Sequence, residues 1–225
     1  VARNLIDDDG NNQWPEILQL LFQCANAPNV LLQESALRIF ASVPGIFGNQ
    51  QNHFLQIIKE MLMKYLDPSS NPEVRIQAVR AVVAFILLHD KEIEIQKAFS
   101  DLLPHVIMIT ADSIKNEEDQ TLIKLLIDMA ENVPKFLRPQ LENIFEMCIN
   151  VFKSVDVEDT WRHLALEVMV SLAENASAMV RKKAEKHIAA LIPHVLIMMT
   201  ELDEDEDWAV SDEIADDDTS ENNVI

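Results

Sequence analysis

The chain has 225 residues, 48% of them hydrophobic, and a formal net charge of −20. That charge disfavours direct binding to nucleic acid, whose phosphates demand positive partners, and favours a basic partner instead. Two cysteines, Cys24 and Cys148, both set among apolar residues, do not make a disulfide framework and read as small buried hydrophobes.

The charge is uneven. Residues 201–221 hold twelve Asp or Glu and no Lys, Arg or His, which leaves 26 acids against 18 bases elsewhere. The longest unbroken apolar run, residues 81–88, is too short to cross a bilayer. No signal-peptide pattern opens the sequence, and no membrane association is expected. Val1 stands where an initiator Met would, inside what reads as the tail of a helix over residues 1–6, as in a segment cut from a larger protein.

Residues 7–12 form a polar turn, and Trp14-Pro15 opens a helix whose stripe is Ile17, Leu18, Leu21 and Phe22. Ala27-Pro28-Asn29 breaks it. A second helix over 30–43 carries Leu32, Ala36, Leu37, Ile39 and Phe40, and Pro44-Gly45 stops it. Further pairs follow over 52–66 with 72–88, 93–114 with 119–133, and 139–155 with 160–175. A fifth unit supplies only a first helix, over 179–202. Pro104 and Pro193 fall inside their helices, where a proline removes a hydrogen bond and kinks the rod.

The pairs repeat. Ala36-Leu37, Ala78-Val79, Leu122-Ile123 and Ala165-Leu166 recur at spacings of 42, 44 and 43, and residues 102–109 nearly return 89 residues later at 191–198. A period in the low forties with two helices per unit marks an all-α superhelical solenoid of HEAT-type repeats. The repeats are expected over 1–202, as complete pairs at 14–49, 50–90, 91–135 and 136–176 with partial units flanking them. Residues 203–223 read as an acidic, flexible insertion, because so many like charges resist compaction.

No catalytic chemistry stands out. An EF-hand loop beginning at Asp203 would place Trp208 where Gly is needed and Ile214 where Glu is needed. The six histidines show no metal-ligand spacing with the cysteines. The three glycines make no phosphate loop, and no nucleophile is paired with a base. No catalytic residue, metal or cofactor is expected. The apolar and Met stripes read as core, and some of them are candidates for an exposed apolar groove.

The candidate partner-binding residues are Asp203, Glu204, Asp205, Glu206, Asp207, Trp208, Asp212, Glu213, Asp216, Asp217 and Asp218. Single exposed ion pairs contribute about 0–1 kcal/mol. A dense run raises the local field and makes several contacts at once, with affinity that falls as salt rises. A solubilising spacer is the alternative. Trp208 either anchors this segment or touches a partner.

Residues 67–78, Asp67-Pro68-Ser69-Ser70-Asn71-Pro72-Glu73-Val74-Arg75-Ile76-Gln77-Ala78, resemble the turn and second-helix start of a HEAT repeat. Arg162 and Ala165 repeat its Arg-x-x-Ala part, whereas Gln33 and Asp119 fall where the Arg would be. Asp67, Arg75 and Arg162 are therefore the candidate repeat-framework residues. More narrowly, the chain resembles the karyopherin-beta (importin-beta) family of nuclear import receptors, and within it the importin-five, or karyopherin beta three, branch. The resemblance rests on Ala2-Arg3-Asn4-Leu5-Ile6-Asp7, Gly10-Asn11-Asn12-Gln13-Trp14-Pro15-Glu16, Phe40 with Pro44-Gly45-Ile46-Phe47-Gly48, Val133-Pro134-Lys135-Phe136-Leu137-Arg138-Pro139, Arg162 with Leu164-Ala165-Leu166-Glu167-Val168, and Glu204-Asp205-Glu206-Asp207-Trp208.

The resemblance implies a transport receptor, not an enzyme. It implies a monomer that shuttles between cytoplasm and nucleus and carries basic cargo with nuclear localisation signals, such as ribosomal proteins or histones. Ran-GTP would release the cargo, and Phe-Gly nucleoporins would be met on first-helix surfaces. Two other readings of the residues stay open. One is a constitutive HEAT scaffold. The other is an acidic chaperone of basic proteins.

Overall fold

The computed structural model describes residues 5–117, 119–154 and 156–200, and all its named elements there are helical. Two compact units divide the chain at residue 187. In the first unit the helices pair in order. α1 (Glu16–Asn26) lies against α2 (Val30–Ser42), and α3 (Gln51–Leu66) against α4 (Pro72–Leu88). α5 (Ile93–Ala98) leads into α6 (Leu103–Lys115), which packs on α7 (Thr121–Asn132), and α8 (Leu141–Lys153) packs on α9 (Asp159–Asn175). α10 (Ser177–Lys183) then packs on α9. The second helices lie side by side, α2 on α4, α4 on α7 and α7 on α9. This is the all-α HEAT-repeat stack that the 42–44 spacing predicts. Of the second unit, the described part is the remainder of α11 (Glu185–Met198) and the turn after it.

The sequence writes this packing into each helix. On α8 the buried residues Leu141, Ile144, Phe145, Cys148, Ile149 and Phe152 recur at three- and four-residue steps, one apolar stripe on an otherwise polar rod. α4 differs, because Val74, Ala78, Val79, Ala81, Val82, Val83, Phe85 and Ile86 bury nearly its whole circumference. It sits between α2, α3, α6 and α7, so its central turns meet water only along a narrow, part-exposed strip through Ile76, Arg80, Ala84 and Leu87. Phe85 stacks on Phe40 of the preceding pair at 5.8 Å between centroids and meets Phe99 of the following pair at 4.9 Å. Phe22, Phe47 and Phe54 extend this aromatic seam toward the N-terminal end.

The connections fall into two kinds. Residues 43–50 and 133–140 have the same course, a turn followed by a 3-10 turn, with matching backbone hydrogen bonds 90 residues apart. Each tucks two apolar side chains beneath itself, Ile46 with Phe47 and Phe136 with Leu137. The connection after α4 is tighter and is held by polar groups. Buried His89 faces the Glu92 carboxylate through Nδ1 at 2.7 Å and the Gln51 amide through Nε2, and the Gln96 amide donates to the His89 and Asp90 carbonyls at 2.9 Å. An N–H on Nδ1 leaves Nε2 free to accept from Gln51.

Three expectations are corrected. Leu5 and Ile6 are not the tail of a helix, since Ile6 forms an isolated antiparallel bridge with Asn12. The loop so closed docks on the 43–50 connection: the Asn12 side-chain amide donates to the Ile46 carbonyl at 2.6 Å and the Asn49 N–H to the Gly10 carbonyl at 2.8 Å. Gly48 has φ +50°, and a Cβ there would stand 2.3 Å from the Gly10 carbonyl oxygen, so the contact requires glycine. The rod over 93–114 is broken at residues 99–102, and Pro104 stands in the first turn of α6. In a continuous helix its ring would strike the Ser100 carbonyl, and the 3-10 turn over Ser100–Leu102 removes that clash. The last rod is broken too, at Ala184, whereas Pro193 does lie inside α11. The two prolines thus hold different positions despite their shared sequence context.

Phe85→Ala should cost about 3–5 kcal/mol by denaturant titration, because the ring joins three successive pairs. A loss below about 1 kcal/mol would contradict the seam. Burial pushes the Cys148 thiol up to about 12, whereas Cys24 is only half-buried. Under native conditions at pH 8, iodoacetamide should therefore modify Cys24 and spare Cys148 until the chain unfolds, as peptide mass spectrometry would show.

Candidate interaction surface

The side-by-side packing of α2, α4, α7 and α9 leaves one solvent-facing stripe on each. On α7 it is Lys124, Asp128 and Glu131, and on α9 it is His163, Glu167, Val170 and Glu174, each set at helical spacing. Four carboxylates against one lysine make this end of the stack acidic. On α2 the stripe is Ser35, Arg38 and Ser42, and Arg38 is already paired with Glu34 at 3.7 Å. The acidic field of the second helices therefore grows along the chain.

Polar rungs hold these helices in register. From α4, the Arg80 guanidinium donates to the Asp119 carboxylate at the entrance to α7 at 2.6 Å, and Arg75 reaches Asp112 on the first helix α6 at 3.5 Å. Between α7 and α9, the Gln120 amide donates to the Thr160 hydroxyl at 3.2 Å. Asp119 also accepts from the Thr121 hydroxyl at 2.6 Å and the Thr121 N–H at 2.9 Å, closing the entrance to α7. Asn29 and Asn71 accept the corresponding N–H two residues on, from Leu31 and Glu73, at the starts of α2 and α4. The Thr121 hydroxyl bond is the largest cause holding the Asp119 carboxyl below the ordinary carboxylate range, and Arg80 adds to it against partial desolvation.

Asp67, Arg75 and Arg162 do not form one ladder. Asp67 accepts from the Ser69 N–H and hydroxyl within its own turn, which lowers its pKa. Arg162 donates to Asp159 of its own helix at 2.7 Å and to the Phe152 carbonyl at 3.2 Å. Asp119 was aligned with the arginine column but is the acceptor of a rung. Its partner Arg80 was not singled out in the sequence, although it lies five residues beyond Arg75, on the side of α4 that faces the next repeat. The acidic candidates at 203–218, Trp208 among them, lie outside the described residues.

The opposite charge is concentrated at the edge of the stack. A groove of about 930 Å³ runs between the connection after α4, the connection over 133–140 and α10. Lys91, Lys97, Lys135, Arg138, Lys182 and Lys183 line it, with Asp90 as the one acid. Its apolar floor includes Ile93, Val133, Pro134, Phe136 and Met179. These cations are spread over more than 90 residues, and sequence reasoning missed them.

The architecture is that of a HEAT-type helical-repeat protein, built for extended contact with other macromolecules. Residues 1–147 match the family described as IPO5-like, TPR repeats, and residues 154–225 match the Importin repeat family. A spacing of 42–44 exceeds the 34 residues of a TPR unit and suits HEAT. The importin subunit beta-3 of Saccharomyces cerevisiae is 31% identical over 211 residues, covering 90% of this chain and 19% of that protein. Two crystal structures of the karyopherin Kap121p are each 27% identical and cover 96% of this chain and 20% of theirs. One is bound to the SUMO protease Ulp1p (TM-score 0.71) and the other to RanGTP (TM-score 0.67). The chain belongs to the importin-5-like family of importins and karyopherins. It spans about a fifth of the length of these relatives.

Asp119→Asn should destabilise the fold by about 1 kcal/mol at neutral pH, combining a weakened cap with a half-exposed ion pair. A carboxylate held below its ordinary pKa of 3.8 gives stability that is present above that value and lost as pH falls through the lower folded value. The difference between wild type and variant should therefore shrink as pH drops below about 4. Denaturant midpoints at pH 7 and pH 3 check this, and an unchanged difference would contradict the rung.

Proposed function

We propose that this chain is a segment of a nuclear import receptor that binds basic cargo proteins bearing nuclear localisation signals, such as ribosomal proteins or histones, and releases them when Ran-GTP binds. The observation that carries this reading is likeness over 96% of the chain to a karyopherin solved with RanGTP. The electrostatics support it. Asp128, Glu131, Glu167 and Glu174 face solvent on adjacent second helices, and residues 201–221 add twelve acids. A basic segment laid across the α7 and α9 carboxylates makes several weak contacts at once, so association is fast and salt-sensitive.

Release follows from linkage. If Ran-GTP and cargo oppose each other on the receptor, each weakens the other by the same factor. Passage through the pore requires weak apolar contacts with Phe-Gly nucleoporins. Exposed Leu20, Ile57 and Met108 lie on α1, α3 and α6, first helices of successive repeats, and suit such contacts. No cofactor is required, and the receptor would act as a monomer shuttling between cytoplasm and nucleus.

The test uses the receptor extended to its natural termini. It should bind Ran-GTP and not Ran-GDP, and Ran-GTP should displace a fluorescent basic cargo peptide. Deleting residues 203–221 should weaken that peptide about tenfold at physiological salt, with less effect at high salt. Equal affinity for the two nucleotide states would instead support a constitutive scaffold. Complete loss of cargo binding on the deletion, with no nucleotide preference, would support an acidic chaperone.

A further inference from the structure

We propose that the basic groove at the edge of the repeat stack is a docking site for an extended, carboxylate-rich peptide segment of a partner protein. This goes beyond the reading above, which assigns the receptor basic ligands only.

Charge complementarity carries the assignment. The chain has 18 Lys and Arg in all, and six of them line this one groove against a single acid. In a chain of net charge −20, scatter would leave each cation near carboxylates. Two of the six are engaged: Lys97 with Glu94 at 2.8 Å, and Lys183 with the Arg138 carbonyl at 3.4 Å. Among the described residues, the side chains of Lys91, Lys135, Arg138 and Lys182 have no ion-pair partner. Four uncompensated cations from three separate segments therefore surround one cleft.

The Lys183 bond matters for a different reason. It ties α10 to the 133–140 connection across the groove, so the two walls are held together before any ligand arrives. A preformed cleft costs less ordering on binding. The floor selects among anions. Ile93 is 57% exposed, and Pro134 and Met179 lie half-buried beside it, so the base of the groove is apolar beneath a cationic rim. That combination suits a peptide alternating acidic and aliphatic side chains, with carboxylates on the rim and aliphatics on the floor. A long nucleic acid is a poorer fit. It offers no aliphatic group to the floor, and beyond the groove its phosphates would meet a body of net negative charge.

The experiment titrates the full chain into a fluorescein-labelled twelve-residue peptide of alternating Glu and Leu and follows anisotropy. The controls are a Lys/Leu peptide of the same length and a thymidine oligonucleotide competitor. The acidic peptide should bind in low salt and the basic control should not bind at this groove. Lys135→Glu with Arg138→Glu should weaken the acidic peptide at least tenfold, and so should Lys91→Glu with Lys182→Glu, both with unchanged circular dichroism. Two independent pairs guard against one of them failing to fold. Replacing Leu by Ser in the peptide should also weaken binding, because the floor contacts are lost. The proposal is overturned if neither pair changes the affinity, if the Ser peptide binds as well as the Leu peptide, or if the oligonucleotide displaces the peptide at equal charge concentration. Ran-GTP selectivity measured on the same variants separates this proposal from the transport reading, which can stand if the groove binds nothing.

Discussion

No helix pair in this chain can bury its own apolar surface, and the rest of the structure follows from that constraint. α4 shows it most directly. Its residues are apolar on nearly every side, so it is stable only where α2 and α7 flank it and α3 and α6 close over it. Phe40, Phe85 and Phe99 come from three successive pairs and meet in one seam. Neighbour packing rather than a central core sets the stability of such a stack. It also leaves each second helix with one uncommitted stripe, and those stripes are the surface available for ligands. The polar rungs act on register more than on stability. Arg80 with Asp119 is a half-exposed pair of modest strength, but it fixes which turn of α4 faces the entrance to α7.

The repeat was legible because burial imposes the helical period wherever a pair packs on its neighbours. Ala36, Ala78, Leu122 and Ala165 are all nearly inaccessible to solvent, and they are the residues whose spacing betrays the repeat. What was not legible was register at the junctions. Asp119 was aligned with an arginine column by counting back from Leu122, yet its place is that of Asn71, the residue that closes the entrance to the second helix. Leu122 is the second residue of α7 whereas Ala78 lies two turns into α4, so counting back three residues leaves α7 but stays inside α4. Pro104 and Pro193 failed for a related reason. A shared Pro-His-Val core in similar apolar surroundings does not say whether the chain breaks before a proline, as at residues 99–102, or carries it inside a helix, as α11 does.

The groove was invisible for a topological reason. Its cations come from the connection after α4, the connection over 133–140 and α10, and only α10, with Arg181-Lys182-Lys183, is a basic run in the sequence. Only stacking brings the connections to one edge while the acids turn elsewhere. The acidic run at 201–221 is the converse case, since its chemistry is plain in the sequence and its position lies outside the described residues.

The stack thus separates charge by face. The stripes of α7 and α9 carry carboxylates, and the edge built from the connections carries lysines and an arginine. The two regions share a helix. Glu131 on the α7 stripe is adjacent in sequence to Asn132, which lines the groove, and Val133 on the groove floor ends the same helix. The N–H of Val133 donates to the Met129 carbonyl at 2.9 Å, so the last turn of α7 and the floor of the groove form one continuous hydrogen-bonded segment. A ligand that rotates or shifts α7 from its acidic stripe must displace the groove floor with it. If ligands at the two regions prefer different settings of α7, their affinities are coupled, and the coupling is reciprocal. A repeat protein with no central core provides for this, because each helix is shared between neighbours and none can respond alone.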